Sequence, residues 1–537
     1  MLYFGPEVAG PVPAQGQSQA SLAPALLERL LSRITLVPGA HREIAVHAPA
    51  TGVLLGTIPA ATESDVVLAV DRARAAQPAW AARSFDERAR ILLRFHDLLL
   101  ARQEQVLDLI QWENGKARAH AFEEVLDTAI VARHYALEAE RILAPRRRKG
   151  ALPLLTRTWE LRSPIGVAGF ISPWNYPLSL ALTDALPALM AGNGAVLKPD
   201  HQTTFTALWA LDLLLEAGLP PDVCCLVTGE GPVVGPHVID RVDYLMYTGS
   251  TRTGRIVASH AASRLIGYSL ELGGKNPMLV LADADLDAAA AGAVRGAFVG
   301  AGQVCVSIER IYVHQSVAAR FLDRFTERTR ALKLGAALDY SFDVGSLTSA
   351  RQVATVEAHV RDAVEKGAVV AAGGRARPDL GPYFYEPTIL TGVRPEMLAF
   401  SEETFGPVVA VYPFASEEEA IESANATRYG LNASVWTRDT RHGMRVASRI
   451  RAGSVNVNEV YAAAWGSVDS PIGGMKESGL GRRHGAEGIL KFTEAQTVAI
   501  ERLHPIAPPR GLSTGGYARW MTRMLRILRR LAAPRSG

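Results

Sequence analysis

Cysteine is scarce in this sequence, with three among 537 residues. Two of them, Cys224 and Cys225, are adjacent, which is a poor basis for a disulfide framework, and no Cys-x-x-Cys pair or Cys/His metal spacing occurs. We therefore expect no bound metal and a reducing compartment, the cytoplasm. The remaining cysteine, Cys305, stands apart as a candidate for chemistry.

A large excess of charge and long apolar runs are also lacking. The formal net charge is +3, whereas a nucleic-acid-binding protein is expected to carry a clustered basic face, so we expect no nucleic-acid partner. No run approaches the ~18 uninterrupted apolar residues of a membrane span. Residues 1–19 contain no basic segment and no long apolar run, which argues against a secretory signal. Their Pro, Gly and Gln content predicts a loose N-terminal tail over 1–34.

The first part of the chain has helical patterns, and a sequence of 537 residues is too long for one compact core. Thr62–Asp65 is predicted to be a capping box that opens a helix. Amphipathic stretches follow over 86–112 and 119–143. The basic run Arg146–Lys149 then interrupts the pattern and is predicted to be a solvated connector.

From about residue 164, short apolar runs alternate with helical segments. This alternation predicts a parallel, doubly wound α/β sheet of the Rossmann kind, followed by a second α/β block over 276–464. The predicted strands are 165–171, 195–197, 223–227 and 244–247, and the predicted helices are 179–191 and 204–216.

Five motifs along the chain contain residues that could carry catalytic or binding chemistry. In order they are Pro173–Pro177, Glu271–Pro277, Gly302–Ser307, Glu403–Pro407 and Pro471–Arg482. Each is weak by itself, because a lone cysteine is usually an inert core residue and a lone glutamate is usually solvated. The order and spacing of all five motifs along the chain are a far more specific signal of function than any single motif.

With these motifs the sequence resembles the aldehyde dehydrogenase superfamily over residues 35–500. Within that family, Pro471–Gly485 is most similar to the bacterial succinate-semialdehyde dehydrogenases of the NADP type. The resemblance implies the aldehyde dehydrogenase fold and oxidation of an aldehyde to a carboxylic acid with NAD(P). It also implies a homodimer or homotetramer.

The same resemblance gives the catalytic roles to Cys305, Asn175 and Glu271. A thiol attacks an aldehyde best as a thiolate, and the oxyanion that forms needs donors, implied here to be the Asn175 amide and the Cys305 backbone N–H. Hydride transfer to the nicotinamide leaves a thioester, whose hydrolysis needs a general base, the role implied for Glu271. Lys275 either positions groups near that base or belongs to a structural ion pair.

The cofactor side depends on Tyr247–Gly254, which follows a predicted strand and opens a predicted helix. The N–H groups at such a helix start would face a pyrophosphate. The spacing is not Gly-x-Gly-x-x-Gly, so the motif is weak without the resemblance. The cofactor-binding residues implied are Ser172, Trp174, Asn175, Lys198, Asp200, His201, Gly249, Ser250, Leu272 and Glu403.

One position departs from the family pattern. The family often has a glutamate three residues after the lysine at Lys198, where it grips both ribose hydroxyls, and this chain has His201. A glutamate would repel the 2′-phosphate of NADP, whereas a histidine would not. NADP is therefore favoured over NAD, with a solvent-facing histidine of no consequence as the alternative.

The substrate is less well defined. Succinate semialdehyde is the leading candidate, and its carboxylate would be met by Ser467 and Arg310, which match substrate-binding positions of relatives. An arginine that some relatives carry is Thr183 here, and Arg310 could instead be structural. The apolar run Tyr461–Trp465 favours a second candidate, an aromatic or longer aliphatic aldehyde.

The C-terminal segment Gly511–Gly537 contains no acidic residue. Its apolar residues recur at roughly helical spacing with arginines among them, which is typical of a basic amphipathic helix on an anionic membrane surface. The alternative is a helix docked on the enzyme or on a neighbouring subunit. Peripheral membrane contact of a cytoplasmic enzyme is therefore one expectation.

These patterns and the resemblance together predict a three-part architecture and leave three rival functions. The rivals are a cysteine hydrolase, a CoA-acylating aldehyde dehydrogenase and a non-enzymatic protein of the same fold. The first would need a histidine base and the second would not need Glu271. The predicted parts are a cofactor domain over 35–146 and 166–271, a catalytic domain over 272–470, an oligomerisation arm over 147–165 and 484–505, and a basic tail over 506–537.

Overall fold

The structure of the protein is a computed structural model, and it describes residues 22–150, 156–502 and 507–531. Residues 1–21 of the predicted N-terminal tail and parts of the predicted arm and basic tail lie outside these residues. The described part of that tail is not loose as predicted, because it contains a helix over Pro24–Leu31 in which Leu30 is buried. Among the described helices, none is long and apolar enough to cross a membrane.

Helices fill the first part of the chain and then alternate with strands. The capping box predicted at Thr62 is confirmed, and a second one at Ser84 opens the next helix. The helices are α1 Pro24–Leu31, α2 Glu63–Ala81, α3 Phe85–Ala101, α4 Gln103–Asn114, α5 Arg118–Leu143, α6 Ser179–Leu182, α7 Ala185–Met190, α8 Thr204–Ala217, α9 Gly231–Ile239, α10 Thr251–Ser263, α11 Leu286–Phe298, α12 Gln315–Arg330, α13 Ala350–Glu365, α14 Leu398–Ser401, α15 Glu417–Asn425, α16 Thr440–Ala447, α17 Ala462–Gly466, α18 Gly485–Leu490 and α19 Thr514–Leu531.

The strands of the described residues form four sheets. They are β1 Glu43–His47, β2 Leu54–Pro59, β3 Arg146–Arg148, β4 Thr156–Pro164, β5 Val167–Ile171, β6 Gly194–Lys198, β7 Cys224–Leu226, β8 Tyr244–Thr248, β9 Gly267–Glu271, β10 Asn276–Val280, β11 Ile308–His314, β12 Val369–Ala372, β13 Thr388–Thr391, β14 Val408–Phe414, β15 Asn432–Trp436, β16 Ser454–Val457, β17 Gly479–Leu480 and β18 Thr493–Glu501.

The contacts divide the chain into two compact units. The first comprises the described residues up to 142 together with 164–493, and the second comprises those within 143–163 and from 494 onwards. The second unit contains the sheet of order β18-β4-β3 and the helix α19. The run Arg146–Arg148 is exposed as predicted, but it forms a strand rather than a connector, because it pairs with β4.

The first unit contains a six-stranded sheet of order β17-β9-β8-β5-β6-β7. Five of its strands are parallel, and β17 joins antiparallel to β9. The chain builds outward from β5 through β6 to β7, then returns to place β8 on the other side of β5. The carboxyl ends of β5 and β8 therefore flank a topological switch point, where α/β sheets bind ligands.

A seven-stranded sheet of order β12-β13-β14-β11-β10-β15-β16 forms the other half of this unit. All of its strand pairs are parallel except β12 with β13. Its strands fall within 272–470 and the parallel strands of the six-stranded sheet fall within 166–271. The doubly wound α/β class is thus confirmed, while the domain boundaries stay predictions.

The predicted helix over 179–191 is wrong as a continuous element. It consists of α6 and α7, with Thr183 and Asp184 between them. Pro187 has no N–H to bond to the carbonyl of Thr183, so the helical ladder is interrupted there. The interruption matters because the Asp184 carboxylate, at this junction, bonds to Arg483 and Lys491.

Candidate active site

Cys305 lies on a tight loop between α11 and β11, which we call the thiol loop. The backbone has φ of 56° at Gly300 and Ala301 and 72° at Gly302, all in the left-handed region. A Cβ on Gly302 would lie 2.1 Å from the carbonyl oxygen of Gly406, so only glycine allows this close approach. The motif that carries Cys305 therefore packs directly on the motif that carries Glu403.

Two asparagine amides hold this loop. Asn276 Nδ2 donates to the carbonyl oxygens of Cys305 at 2.8 Å and Ser307 at 2.7 Å. Asn175 Nδ2 donates to the carbonyl oxygen of Gln303 at 3.0 Å, across 128 positions of sequence. The predicted oxyanion donor, Asn175, therefore contacts the loop that carries the predicted nucleophile, Cys305.

Buried groups from α4, α5 and the short link between them position the turn that carries Asn175. The Lys116 ammonium donates to the Asn175 carbonyl oxygen at 2.6 Å and to Glu124 at 2.7 Å. Asn114 Nδ2 donates to the carbonyl oxygen of Trp174 at 3.0 Å. Sequence reasoning missed Lys116 and Glu124, because no local pattern marks one charged residue of a helix or a link as buried.

A cavity of about 110 Å³ opens beside Cys305 and Asn175. Its charged or carboxyl-bearing lining residues are Glu123, Asp127 and Arg295. The rest of the wall is mostly apolar and aromatic, and includes Leu126, Ile130, Tyr176, Leu180, Tyr461 and Trp465.

The Cys305 thiol is disfavoured as a thiolate in this environment. Burial raises its pKa to about 12, and the nearby carboxylates of Glu271 and Glu403 act in the same direction, while Arg483 opposes them. Loss of a neighbouring negative charge is therefore one way to activate the thiol.

Glu271 ends β9 at the same sheet edge as Thr248, with which it pairs in register. Its side chain is buried, and burial raises its pKa to about 7, with Arg483 opposing the shift and Asp184 adding to it. Within the described residues no hydrogen bond reaches its carboxylate. A carboxylate with a pKa near neutrality and free oxygens has the properties of a general base.

Arg483 is a third functional residue that sequence reasoning missed. It belongs to the run Pro471–Gly485, is buried, and bonds to Asp184, which also accepts from the Lys491 ammonium at 2.8 Å. Its charge opposes the rise in pKa at both Glu271 and Cys305. The run Pro471–Gly485 therefore places a fixed cation, Arg483, near Glu271 and Cys305.

The alternatives left open for Lys275 are decided by its partner. Its ammonium donates to the buried carboxylate of Glu309, which also accepts the backbone N–H groups of Thr404 and Phe405 at 3.0 Å. The structural ion pair is thus confirmed. It fixes the backbone directly after the next candidate residue, Glu403.

Glu403 lies over the Gly273–Gly274 turn and accepts the Gly274 N–H at 2.8 Å. Burial raises its pKa to about 8, and the charge of Glu309 adds to the shift. Trp174 packs edge-on against the neighbouring Phe405, with ring centroids 5.5 Å apart.

The predicted phosphate loop has the expected local structure. Gly249 follows β8, and its N–H donates to the carbonyl oxygen of Glu271 at 3.0 Å. Ser250 caps α10 by accepting the Thr253 N–H at 3.3 Å. Ser172 follows β5, so these residues lie at the switch point, where the first N–H groups of α10 suit a pyrophosphate.

Lys198 and its neighbours also fit a phosphorylated ribose. Lys198 ends β6 and is buried, and within the described residues its ammonium has no hydrogen-bond partner. The charges of Asp200 and Glu230 lie near it. His201 Nδ1 lies 3.4 Å from Asp200 Oδ1 and is buried without a hydrogen bond. Leu272 packs closely on Gly254 of α10.

The substrate residues chosen from the sequence do not converge on the cavity. Arg310 as a carboxylate ligand is wrong, because its guanidinium is buried and donates to the carbonyl oxygens of Lys275, Ser423 and Ala424. The Ser467 hydroxyl is exposed and donates to the Ala463 carbonyl oxygen at 2.7 Å, although the adjacent Gly466 lines the cavity. The cation that does line the cavity is Arg295, which the sequence analysis did not select.

Metal chemistry has no matching cluster here. In the described ranges, no group of three or more His, Cys, Asp and Glu side chains is arranged to hold a metal ion. All three cysteines are free.

The thiol loop, the Rossmann-like switch point and the buried carboxylates together define a dehydrogenase-like site. The model of the aldehyde dehydrogenase family matches residues 36–498, so the chain belongs to this family. The predicted extent of the resemblance, residues 35–500, is confirmed.

Individual proteins show the same relationship. A protein of Mycolicibacterium smegmatis, named putative succinate-semialdehyde dehydrogenase, NADP(+), is 52% identical over 90% of this chain and 93% of its own length. A protein of Mycobacterium tuberculosis with that name and the number 2 is 50% identical over 90% and 94%. A crystal structure described as an E. coli NADP dependent enzyme covers 88% of this chain and 99% of its own, with a TM-score of 0.84 and 36% identity.

The electrostatics of the thiol lead to a prediction for the unliganded protein. Glu271→Gln removes one of the charges that raise the pKa of Cys305, so the thiol should titrate at lower pH and react with iodoacetamide at pH 8 several-fold faster. The alkylation rate as a function of pH measures this. Glu365→Gln, which removes an exposed carboxylate at the end of α13, is the matched control. Equal rates in the Glu271 variant and the wild type would contradict the charge assignment.

Proposed function

We propose that this protein oxidises an aldehyde to a carboxylic acid, with NAD(P) as the oxidant and Cys305 as the nucleophile. One observation carries the proposal. The thiol loop accepts a hydrogen bond from Asn175 and lies beside a buried carboxylate, Glu271, whose pKa of about 7 suits a base.

The chemistry of the chain follows from these positions. The Cys305 sulfur adds to the carbonyl carbon of the aldehyde, and the oxygen that becomes negative is stabilised by the Asn175 amide and the Cys305 backbone N–H. NAD(P), when bound, supplies a hydride acceptor. Water then attacks the resulting Cys305 thioester and gives its proton to Glu271. The acid leaves, and the thiol is regenerated.

The cofactor would be held at the switch point of the six-stranded sheet. Ser172, Gly249 and Ser250 would contact the pyrophosphate region, and Trp174, Leu272 and Glu403 would line the nicotinamide side. Lys198, Asp200 and His201 would surround the adenosine ribose. The buried, unpartnered ammonium of Lys198 supports binding of an anionic group there, and the names of relatives with NADP(+) support NADP.

Succinate semialdehyde is the first substrate to test. It is supported by the names of proteins at 50–52% identity and by the run Pro471–Gly485. The second candidate, an uncharged aromatic or aliphatic aldehyde, is favoured by the apolar wall that includes Tyr461, Ala462 and Trp465. Product analysis separates both from a CoA-acylating enzyme and from a cysteine hydrolase.

The nucleophile and the base are tested together by rapid mixing with aldehyde and NADP. Cys305→Ala should give no reduced cofactor, while Glu271→Gln should give one burst and then stall as a thioester. In the wild type, the deacylation rate should rise as the pH rises through about 7, because Glu271 acts in its deprotonated form. Turnover by the Cys305 variant, or a missing burst in a Glu271 variant that still binds NADP, would refute these roles.

Cofactor choice is tested at position 201. The wild type should use NADP at least as well as NAD, because no carboxylate opposes the 2′-phosphate at this position. His201→Glu should shift the ratio of kcat/KM toward NAD by about tenfold, roughly 1.4 kcal/mol. His201→Gln keeps the position uncharged and is the control. A wild type that strongly prefers NAD, or an unmoved ratio in the Glu variant, would show that position 201 does not select the cofactor.

We also propose that α19 binds an anionic membrane surface. Its apolar side chains, Tyr517, Met521, Met524, Leu525, Ile527 and Leu528, follow one side of the helix, and five arginines from Arg519 to Arg530 follow the other. None of the side chains described in 514–530 is buried, so the apolar stripe stays accessible. Such a helix lies in the interface, with its apolar side in the lipid and its cations on the headgroups.

The membrane proposal is tested by sedimentation with phosphatidylglycerol vesicles. The full chain should sediment, a chain ending at Pro509 should not, and uncharged phosphatidylcholine vesicles should bind the full chain much less. Arg523→Gln with Arg526→Gln should weaken binding and make it less dependent on salt. Equal sedimentation of the full and shortened chains would remove the proposal.

Assembly as a homodimer or homotetramer is proposed through the second unit. The strand β18 is nine residues long and exposed along nearly all of its length at one edge of its sheet, where its outer backbone groups could pair with another copy. Light scattering of the purified protein measures the mass directly, and a monomer would exclude this assembly.

A further inference from the structure

Arg295 is the one cation among the described residues that line the Cys305 cavity. It lies on α11, an otherwise alanine-rich helix, and its side chain is 46% exposed. Sequence reasoning had sought a carboxylate ligand at Arg310 and Ser467. Because neither presents a free cation or hydroxyl to the cavity, the positive charge available to a substrate carboxylate is that of Arg295.

The guanidinium of Arg295 is oriented but not fully used. Its Nη1 donates to Glu459 Oε1 at 2.9 Å, while its Nη2 lies 3.5 Å from Glu123 Oε1, which is a longer and weaker contact. The group also lies over the ring of Tyr461, with 5.0 Å between Cζ and the ring centroid. One strong partner and one aromatic face fix its direction and leave N–H donors available.

Glu123 does not depend on Arg295 for its hydrogen bonds. Its carboxylate accepts the Tyr461 hydroxyl at 2.8 and 3.0 Å and lies 3.5 Å from the Tyr176 hydroxyl. Burial raises the pKa of Glu123, although Tyr461, Arg295 and Lys116 oppose the shift. Glu123 can therefore give up its long contact with Arg295 without losing its hydrogen-bond partners.

We infer that Arg295 is the specificity-determining residue that binds the remote carboxylate of a short semialdehyde acid. The aldehyde carbon would lie at Cys305, the methylene chain along the apolar wall, and the carboxylate against the free N–H groups of Arg295. The fork of N–H donors on a guanidinium matches the two oxygens of a carboxylate. This inference rests on the proposed function and identifies the class of substrate that the same site selects.

The charges of Glu123 and Glu459 oppose the binding of an acid, since both carboxylates lie within 3.5 Å of the Arg295 guanidinium. Of these two residues, Glu123 lines the cavity beside the position assigned to the substrate carboxylate. Like charges at such range disfavour binding. Removing the Glu123 charge while keeping a hydrogen-bonding side chain should therefore improve binding of the acid. The opposite responses expected at Arg295 and Glu123 distinguish recognition of a carboxylate from a purely structural role.

The experiment compares two aldehydes of equal chain length, succinate semialdehyde and uncharged butanal, at saturating NADP with the full-length enzyme. The measured quantity is the ratio of their kcat/KM values. Arg295→Met, which keeps much of the side-chain length, should lower the ratio about 100-fold, equivalent to about 2.8 kcal/mol at 1.4 kcal/mol per tenfold. The ratio for Arg295→Lys should lie between those of the wild type and Arg295→Met. Glu123→Gln should raise the ratio several-fold.

Arg324→Met on α12, which removes an arginine paired with Asp287 away from the cavity, is the matched control and should leave the ratio unchanged. A ratio that does not move in Arg295→Met, or a wild type that oxidises butanal as well as succinate semialdehyde, would overturn the inference. Failure of the wild type to oxidise any aldehyde would instead refute the proposed function itself.

Discussion

The hydrogen bonds that hold the Cys305 loop are the constraint on which the rest of the site depends. Asn276 grips the loop at Cys305 and Ser307, and Asn175 grips it at Gln303. Asn276 begins β10 of the seven-stranded sheet, whereas Asn175 lies on the turn that follows β5 of the six-stranded sheet. The left-handed backbone that precedes Cys305 closes against the motif containing Glu403. Because the loop is held from three directions, the thiol has one position relative to donor, base and cofactor crevice, which is what preorganised catalysis requires.

Most buried charges around this loop have an oppositely charged partner, whereas Glu271 does not, and this difference suits Glu271 to proton transfer. Lys275 is paired with Glu309, and Arg483 with Asp184, so these charges are compensated where they are needed to hold the backbone. Glu271 is the exception, since it is buried without a hydrogen bond and its pKa rises to about 7. An unpaired carboxylate is costly in a protein interior, and such a cost is typical of a group kept for proton transfer.

Specificity is separated from catalysis by the same architecture. The loops that follow β5 and β8 at the switch point would contact the cofactor. In contrast, α5, α11 and α17 form walls of the cavity beyond Cys305. Changes on these helices can therefore alter which aldehyde is accepted without moving the thiol. The ion pairs of Arg295 and the tyrosine hydroxyls on Glu123 give this wall a defined polar end in an otherwise apolar surface.

The sequence by itself determined the α/β class, four of the strands, one capped helix and the candidate thiol, amide and carboxylate. These features are encoded locally, by periodicity, caps and short motifs that resemble a known family. Only the tertiary structure decided which charged side chains are buried and what they contact. It made Arg310 structural and brought Arg295 into the cavity. The physical reason is that a charge acquires its role from partners distant in sequence, and no local pattern specifies them.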